Sequence, residues 1–143
     1  MARAKKDTIA MLKTVPLFEG LSKRELEAIY PAGKEVVFPP DKNIVEEGAT
    51  GGVGFHLILE GEAAVLVGGR KRATLRAGDY FGEMSLLDGG PRSATVRAVT
   101  PVHTLSLTSW SFLPLLEKIP SIARKLLVEM SRRLRSLEHS LTH

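Results

Sequence analysis

Residues 81–98 read FGEMSLLDGGPRSATVRA and place one acid, Glu83, directly after a glycine and one base, Arg92, shortly after it in the chain. Residues 83–87 are expected to form a single helical turn that ends at Asp88-Gly89-Gly90. The free N–H groups at the start of such a turn make a small anion site. The guanidinium of Arg92 presents forked donors that match two phosphate oxygens. The stretch therefore predicts a phosphate pocket built from a helix terminus and an arginine.

The residues beside this acid and base extend the predicted pocket. Gly82 lets the backbone approach a ligand closely, and Ser93 adds a hydroxyl donor. The carboxylate of Glu83 cannot face a phosphate, so it must accept from a hydroxyl or from Arg92. A ligand with one phosphate beside a free sugar hydroxyl satisfies all four groups. The alternative interpretation is a structural ion pair between Glu83 and Arg92 that closes a loop.

The sequence around this stretch predicts a mainly β fold. Short β-prone runs follow one another at close spacing, and turn residues rich in glycine and proline separate them. Strands that alternate with helices would be typical of a parallel sheet, so this spacing favours an antiparallel barrel or jelly roll. The runs cover residues 36–38, 44–45, 55–59, 63–67, 73–75, 95–99 and 102–107.

Helices are predicted on both sides of the β region. Ser22 and Glu25 have the spacing of a capping box, which predicts a short helix from there to about Tyr30. Helical periodicity returns after the last strand and predicts a short helix over 110–117 and a long one over about 121–140. The chain is therefore expected to be a single domain, 1–143. Its parts are helical residues 1–33, a β-roll at 34–108 and C-terminal helices at 109–143.

Composition limits the classes of function. The chain has 143 residues, 43% of them hydrophobic, which suits one domain with its own core. It contains no cysteine, which excludes disulfides, thiolate metal sites and cysteine nucleophiles. The basic start is not followed by the apolar run of a signal peptide, and no segment approaches the roughly 18 to 20 apolar residues that span a bilayer. A soluble cytoplasmic protein is expected.

The residues give little support to other functions. The β-roll plan is shared with cupin metalloproteins, but the four histidines show no close-set pair and are expected to be solvated or satisfied. Because the histidines show no close-set pair, no metal is expected. Ser85 and Ser93 lack a nearby base, so no enzyme is expected. The arginines at 132, 133 and 135 are expected on the solvent-exposed face of a helix rather than in a nucleic-acid-binding patch. The histidines are His56, His103, His139 and His143.

The opening stretch resembles the phosphate-binding cassette of the cyclic nucleotide-binding domain, the family of catabolite activator protein-like ligand-binding domains. The resemblance rests on residues 81–87, the glycine-containing loop after them, and residues 91–96. It extends over nearly the whole chain. The further matching segments are Val15-Pro16-Leu17-Phe18, Glu47-Gly48, Leu57-Ile58-Leu59-Glu60-Gly61 and Ala77-Gly78-Asp79.

The resemblance implies an eight-stranded antiparallel β-roll with an N-terminal helix and two C-terminal helices. It also implies that a cassette at 81–95 holds a cyclic 3′,5′-monophosphate. In such a cassette Arg92 pairs with the cyclic phosphate, and Glu83 accepts from the ribose 2′-hydroxyl. Ser93 and backbone N–H groups around Ser85 and Leu86 bind phosphate oxygens. The predicted ligand-binding residues are Gly82, Glu83, Met84, Ser85, Leu86, Arg92, Ser93 and Ala94.

The chain departs from the family pattern in two places. The loop at 49–54 carries extra glycine and lacks an expected acid. No DNA-binding or other effector domain is expected after the last helix. A stand-alone sensor is therefore expected, which binds cAMP without chemistry and signals to an unidentified effector protein through its C-terminal helix. Ser93 is intermediate between the residues typical of cAMP and cGMP sites, so cGMP stays the alternative ligand. The rival function is a ligand-free interaction or scaffold domain.

The long C-terminal helix carries a predicted apolar seam at alternating steps of four and three. Its first half is expected to pack on the roll, and its second half to extend beyond it, since about 20 helical residues span about 30 Å. Two covers are considered: the same helix of a second subunit, or the purine of the ligand. By resemblance, Arg133 and Leu137 are the lid residues. The seam consists of Ala123, Leu127, Met130, Leu134, Leu137 and Leu141.

Overall fold

The computed structural model describes residues 4–49, 53–82, 86–87 and 92–142. Within these ranges eight strands form two four-stranded sheets, and every strand pair is antiparallel. The predicted antiparallel β-roll is confirmed. The strands are β1 Lys34–Phe38, β2 Asn43–Val45, β3 Val53–Glu60, β4 Ala63–Val67, β5 Arg70–Leu75, β6 Tyr80–Phe81, β7 Thr95–Ala98 and β8 Val102–Thr108.

The two sheets enclose the roll. One sheet has the strand order β1-β8-β3-β6, and the other has β2-β7-β4-β5. A smaller apolar cluster lies inside the roll and includes Ile58 of β3 and Val96 of β7. The pairing of β6 with β3 brings Gly82, at the end of β6, beside Gly54 near the start of β3.

The helices of the described part of the chain lie at its two ends. They are α1 Lys5–Lys13, α2 Lys23–Ile29, α3 Ser109–Lys118 and α4 Pro120–Thr142. The predicted capping box at the start of α2 is present: the Glu25 N–H donates to Ser22 Oγ at 3.1 Å, and the Ser22 N–H donates to Glu25 Oε1 at 2.8 Å. The two C-terminal helices match the predicted ones within two residues at each end.

The main core joins the helices to the outer face of the first sheet. Phe18, from the 3₁₀ turn before α2, packs edge-on against Phe55 of β3, with ring centroids 5.7 Å apart. The same ring lies 6.0 Å from Phe112 of α3. All three rings are fully buried, so the N-terminal turn, β3 and α3 form one apolar unit.

The structure adds two elements that the pattern of the sequence did not indicate. α1 was not predicted, because its N-cap, Ala4, makes no side-chain capping bond and few of its residues are buried, Ile9 and Leu12 among them. β6 contains two residues only and exists through pairing with β3. β5 also begins three residues earlier than predicted, at Arg70, which pairs with Val67.

Candidate ligand-binding site

Gly82 lies at the end of β6, where three parts of the chain meet. Its φ of 83° is in the left-handed region, which favours glycine. A Cβ at this position would lie 2.2 Å from the Gly54 carbonyl oxygen and 2.5 Å from Arg92 Nη1. The close approach that this glycine permits is therefore to Gly54 and Arg92. Its predicted approach to a ligand stays a prediction.

Arg92 is held in place by its backbone and its side chain. Its N–H donates to the Ala49 carbonyl at 3.0 Å, and its carbonyl accepts from the Gly48 N–H at 2.8 Å. Nη1 donates to the Gly54 carbonyl at 2.9 Å, and only 9% of the residue is exposed. Burial lowers the pKa of the guanidinium, but an arginine stays protonated in proteins. The result is a fixed positive charge beside the end of β6.

The remaining predicted cassette residues are described in part. Leu86 is fully buried and helical, and its N–H donates to the Gly82 carbonyl at 3.2 Å, as in a helical turn. Its carbonyl accepts from Ser109 Oγ, the first residue of α3, at 2.9 Å. Ser93 is exposed and Ala94 is half-buried. The predicted residues Glu83, Met84 and Ser85 lie outside the described residues.

A row of polar side chains lies inside the roll, on the inner face of the first sheet. His56 of β3 is 2% exposed, and its Nδ1 is 2.7 Å from Ser106 Oγ of β8. Ser106 Oγ is in turn 2.8 Å from Thr104 Oγ1. The imidazole stacks on Phe81, with ring centroids 4.9 Å apart, and meets Phe38 edge-on. His56, Ser106 and Thr104 therefore form a polar row on the inner face of the first sheet.

His56 is the residue that the sequence reasoning underrated. Burial lowers its pKa to about 3, and the positive charge of Arg92 acts in the same direction. The prediction of a solvated or satisfied histidine holds only for its Nδ1, because Nε2 has no hydrogen-bond partner in the part of the chain that the structure describes. The signal was present in the strand: period-two alternation places His56 on the face opposite to Phe55 and Leu57.

The structure corrects the phase of the predicted seam on α4. In the first half Ile122 and Leu126 enter the core and Met130, a predicted seam residue, packs against it, while Leu127, another predicted seam residue, is 68% exposed. The reason is that α4 packs mainly on α3 and on the 3₁₀ turn at Pro16–Phe18 rather than on the roll, as was predicted for this half. The predicted exposure of the second half is confirmed, since Leu134, Leu137 and Leu141 are 60%, 61% and 86% exposed. Of the predicted lid residues, Arg133 is half-buried and Leu137 is exposed.

A buried carboxylate ties α4 to α2. Glu25 Oε1 accepts from Lys125 Nζ at 2.6 Å, and Oε2 accepts from Ser121 Oγ. Burial alone would raise the pKa of Glu25, but the hydrogen bonds from Lys125, Ser121 and Ser22 outweigh it and lower the pKa to about 2. The Glu25 side chain therefore connects α2 to the start of α4.

No group of three or more His, Cys, Asp or Glu side chains that could hold a metal ion occurs among the described residues. Nor does any helix in the same ranges have the length and apolar character needed to cross a membrane.

Comparisons with known proteins agree with the resemblance. The profile of the cyclic nucleotide-binding domain matches residues 35–119. The chain is 34% identical over 135 residues to the cyclic AMP receptor protein of Thermus thermophilus, covering 91% of this chain and 62% of that protein. It is 37% identical over 118 residues to the cAMP-dependent protein kinase regulatory subunit of Emericella nidulans, covering 81% of this chain and 28% of that protein.

A solved structure gives the same answer for the fold. The N-terminal domain of a transcriptional regulator from Streptomyces coelicolor A3(2) has a TM-score of 0.83 and 28% identity, covering 92% of this chain and 94% of that one. The chain spans less than two thirds of the length of the two curated relatives. The family profile covers more than half of the chain, together with its β-roll, so this chain belongs to the cyclic nucleotide-binding domain family.

Proposed function

We propose that this protein is a cyclic nucleotide sensor that binds cAMP in the cassette at 81–95, performs no chemistry on it, and signals by moving α4. The observation that carries the proposal is the buried guanidinium of Arg92, which donates to the Gly54 carbonyl and lies against Gly82 at the end of β6. A guanidinium presents forked donors that match two oxygens of a cyclic phosphate. The names of these two curated relatives support cAMP as the ligand, and the cGMP-dependent protein kinase of Toxoplasma gondii, 42% identical over 72 residues, keeps cGMP as the alternative.

The proposed roles of the cassette residues follow from their chemistry. Arg92 donates to the cyclic phosphate, and Ser93 adds a hydroxyl donor that is exposed in this structure. Glu83 accepts from the ribose 2′-hydroxyl, and the backbone of the turn that contains Met84 and Ser85 supplies N–H donors. Gly82, Leu86 and Ala94 shape the pocket.

A mechanical route leads from the cassette to α4. Ser109, the first residue of α3, donates to the Leu86 carbonyl at 2.9 Å, and the Leu86 side chain belongs to the same apolar cluster as Ile122 and Leu126. A shift of the cassette turn on binding phosphate therefore pulls on α3, and α3 packs on α4. Leu134, Leu137 and Leu141, which are exposed, then become buried against either the purine or a second subunit. The effector protein recognises α4 in its new position.

The proposal is tested by isothermal titration calorimetry of cAMP and cGMP into the whole chain, followed by competition between the two for one site. Arg92→Ala should weaken binding at least tenfold, because each charge-assisted hydrogen bond contributes roughly 1.5 to 3 kcal/mol. Arg97→Ala is the matched control, since Arg97 lies on β7 with its guanidinium exposed and bonded to Asn43. The proposed function fails if no cyclic nucleotide binds, and a clear preference for cGMP contradicts the choice of ligand.

The role of Glu83 has its own test. Glu83→Ala should reduce the affinity for cAMP and leave that for 2′-deoxy-cAMP almost unchanged, because only cAMP presents the 2′-hydroxyl. The measurement is the ratio of the two dissociation constants in each protein. Equal losses for both ligands would contradict the proposed contact.

A further inference from the structure

A groove with a volume of about 520 Å³ lies between α2 and the start of α4. Ligand pockets in proteins have volumes of roughly 300 to 1,000 Å³, so this groove is large enough to take part of a partner molecule. Its charged lining residues are Arg24 and Glu25 of α2 and Arg124 and Lys125 of α4. The groove therefore has three cationic side chains and one carboxylate, an excess of positive charge.

The carboxylate in this groove is already neutralised by one of the cations. Glu25 Oε1 accepts from Lys125 Nζ at 2.6 Å, and the Glu25 side chain is only 8% exposed. The guanidinium groups of Arg24 and Arg124, by contrast, make no ion pair or hydrogen bond within the part of the chain that the structure describes, and both residues are exposed. Two guanidinium groups, one on each wall of the groove, are therefore available to a partner.

The groove continues along one face of α4. A second cavity of about 170 Å³ shares Arg124 and Lys125 with the first and extends to Val128 and Arg132. Arg124, Val128 and Arg132 are four residues apart, so they lie on the same face of the helix. From Ser121 to Arg132 this face is about 16 Å long at 1.5 Å per residue, the length of about five extended residues. This shape fits an extended peptide better than a compact small molecule.

The lining of the two cavities indicates the chemistry of the partner. A guanidinium presents forked donors that pair with a carboxylate, so Arg24 and Arg124 match the side chains of Asp or Glu. Arg132 already has Glu129 Oε2 at 3.5 Å, and Val128, 53% exposed, offers an apolar contact. No aromatic side chain lines either cavity among the described residues, so the bases of a nucleic acid would have no ring to stack on. These properties favour an acidic protein segment with an apolar residue.

We infer that the groove between α2 and α4 is a docking surface for an acidic segment of the effector protein. The segment is about five residues long, its carboxylates pair with Arg24 and Arg124, and an apolar side chain packs on Val128. The inference rests on the proposed function in assigning the segment to the effector. Because α2 and α4 form opposite walls, a movement of α4 relative to α2 changes the distance between the two arginines. The segment therefore binds one position of α4 more tightly than another.

The test is fluorescence anisotropy of a labelled peptide, Glu-Glu-Leu-Glu-Glu, titrated with the whole chain at low ionic strength without nucleotide. The double variant Arg24→Ala/Arg124→Ala should weaken binding about 3- to 30-fold, as for the loss of two exposed ion pairs. Arg70→Ala/Arg72→Ala is the matched control, because it removes the same charge from two exposed arginines of β5, at the edge of the second sheet. Its affinity should stay within about twofold of the unmodified chain. All four side chains are exposed, so both variants should fold.

Two controls define the chemistry of the partner. If the unmodified chain does not bind the peptide, or if both double variants lose affinity equally, the inference is wrong, because the peptide then responds at most to net charge. If a thymidine oligonucleotide of equal charge binds at these arginines more tightly than the peptide, the partner is a nucleic acid and the inference is also wrong.

Repeating the titration with cAMP separates the inference from the proposed function. Saturating cAMP should change the affinity of the unmodified chain for the peptide, and an unchanged affinity overturns the assignment of the segment to the effector. If cAMP binds but the peptide does not depend on Arg24 and Arg124, only the inference fails. If the peptide depends on these arginines and the chain binds neither cAMP nor cGMP, the docking surface stands and the proposed function fails.

Discussion

The two faces of β3 are both buried, yet they have opposite chemistry. On the outer face Phe55, Leu57 and Leu59 are buried in the apolar cluster that they form with residues of the helices. The inner face presents the Gly54 carbonyl to Arg92 and the His56 ring to Ser106, and leaves a polar atom without a partner. One strand therefore separates two environments: its outer face packs in the main apolar core, and its inner face carries polar groups beside Arg92.

The largest expected effect is on the outer face. Phe55→Ala removes a fully buried ring that packs on Phe18 and should lower the free energy of unfolding by about 3 to 5 kcal/mol. Val37→Ala is the control, because Val37 of β1 is 62% exposed and should change stability by less than about 0.5 kcal/mol. Urea denaturation of both variants gives the comparison, and a cost below about 1 kcal/mol for Phe55→Ala would contradict the assignment of stability to this face.

The inner face should make the fold sensitive to acid. The pKa of His56 is lowered from 6.5, its value in an unfolded chain, to about 3 in the folded protein. Between these pH values the unfolded chain binds a proton at this residue and the folded protein does not. The stabilisation is complete above pH 6.5 and is lost as pH falls toward 3, by up to about 1.4 kcal/mol per pH unit. Urea denaturation at several pH values from 7 to 5 should show this slope in the unmodified chain. An equal slope in His56→Phe would contradict it.

The contacts of Glu25 between α2 and α4 should respond only at lower pH. The pKa of Glu25 is lowered from 4.5 to about 2, so its contribution is present above pH 4.5 and is lost as pH falls from there toward 2. Glu25→Gln should therefore reduce the slope of stability against pH below pH 4.5, where the contribution of His56 persists to about pH 3, and leave the slope between 6.5 and 5 unchanged. A loss of the upper slope in Glu25→Gln would mean that His56 is not its source.

The smallest expected effect lies in the second half of α4, which is exposed in the structure. Truncation after Met130 removes Leu134, Leu137 and Leu141 and should weaken cAMP binding by roughly 1 to 3 kcal/mol, the usual contribution of one or two buried aliphatic side chains. Calorimetry measures the affinity, and sedimentation measures the oligomeric state of the whole chain. If the truncated protein binds as tightly and the whole chain is a monomer with and without cAMP, this half is neither lid nor dimer seam.

The sequence predicted local structure well and long-range contacts poorly. The capping box of Ser22 and Glu25 and the alternation in the strands are local patterns, and the structure has the corresponding helix and strands. α1 carries no such cap, and β6 exists only through its partner strand, so neither had a local signal. On α4 two apolar stripes lie one residue apart, and only the position of α3 decides that Ile122 rather than Ala123 enters the core.

The same limit applies to the candidate site. The cassette motif singled out Gly82 and Arg92, and the structure places them side by side. The contact of Arg92 with Gly54 joins residues that are far apart in the sequence, and no local pattern indicates it. His56 could have been placed inside the roll from the alternation of β3, but its missing partner depends on Ser106 and Thr104 of a distant strand. The ligand roles of the cassette residues stay predictions.

The most direct test of the central claim is the stabilisation of the fold by cAMP in the unmodified chain and in Arg92→Ala. A ligand at 100 times its dissociation constant raises the free energy of unfolding by about 2.7 kcal/mol. Thermal unfolding of the unmodified chain with this concentration of cAMP should therefore shift to higher temperature. At the same concentration Arg92→Ala should remain folded without ligand and be stabilised by about 1.4 kcal/mol at most, because at least tenfold weaker binding leaves cAMP at no more than about 10 times the dissociation constant of the variant. An equal shift in the two proteins would contradict the account.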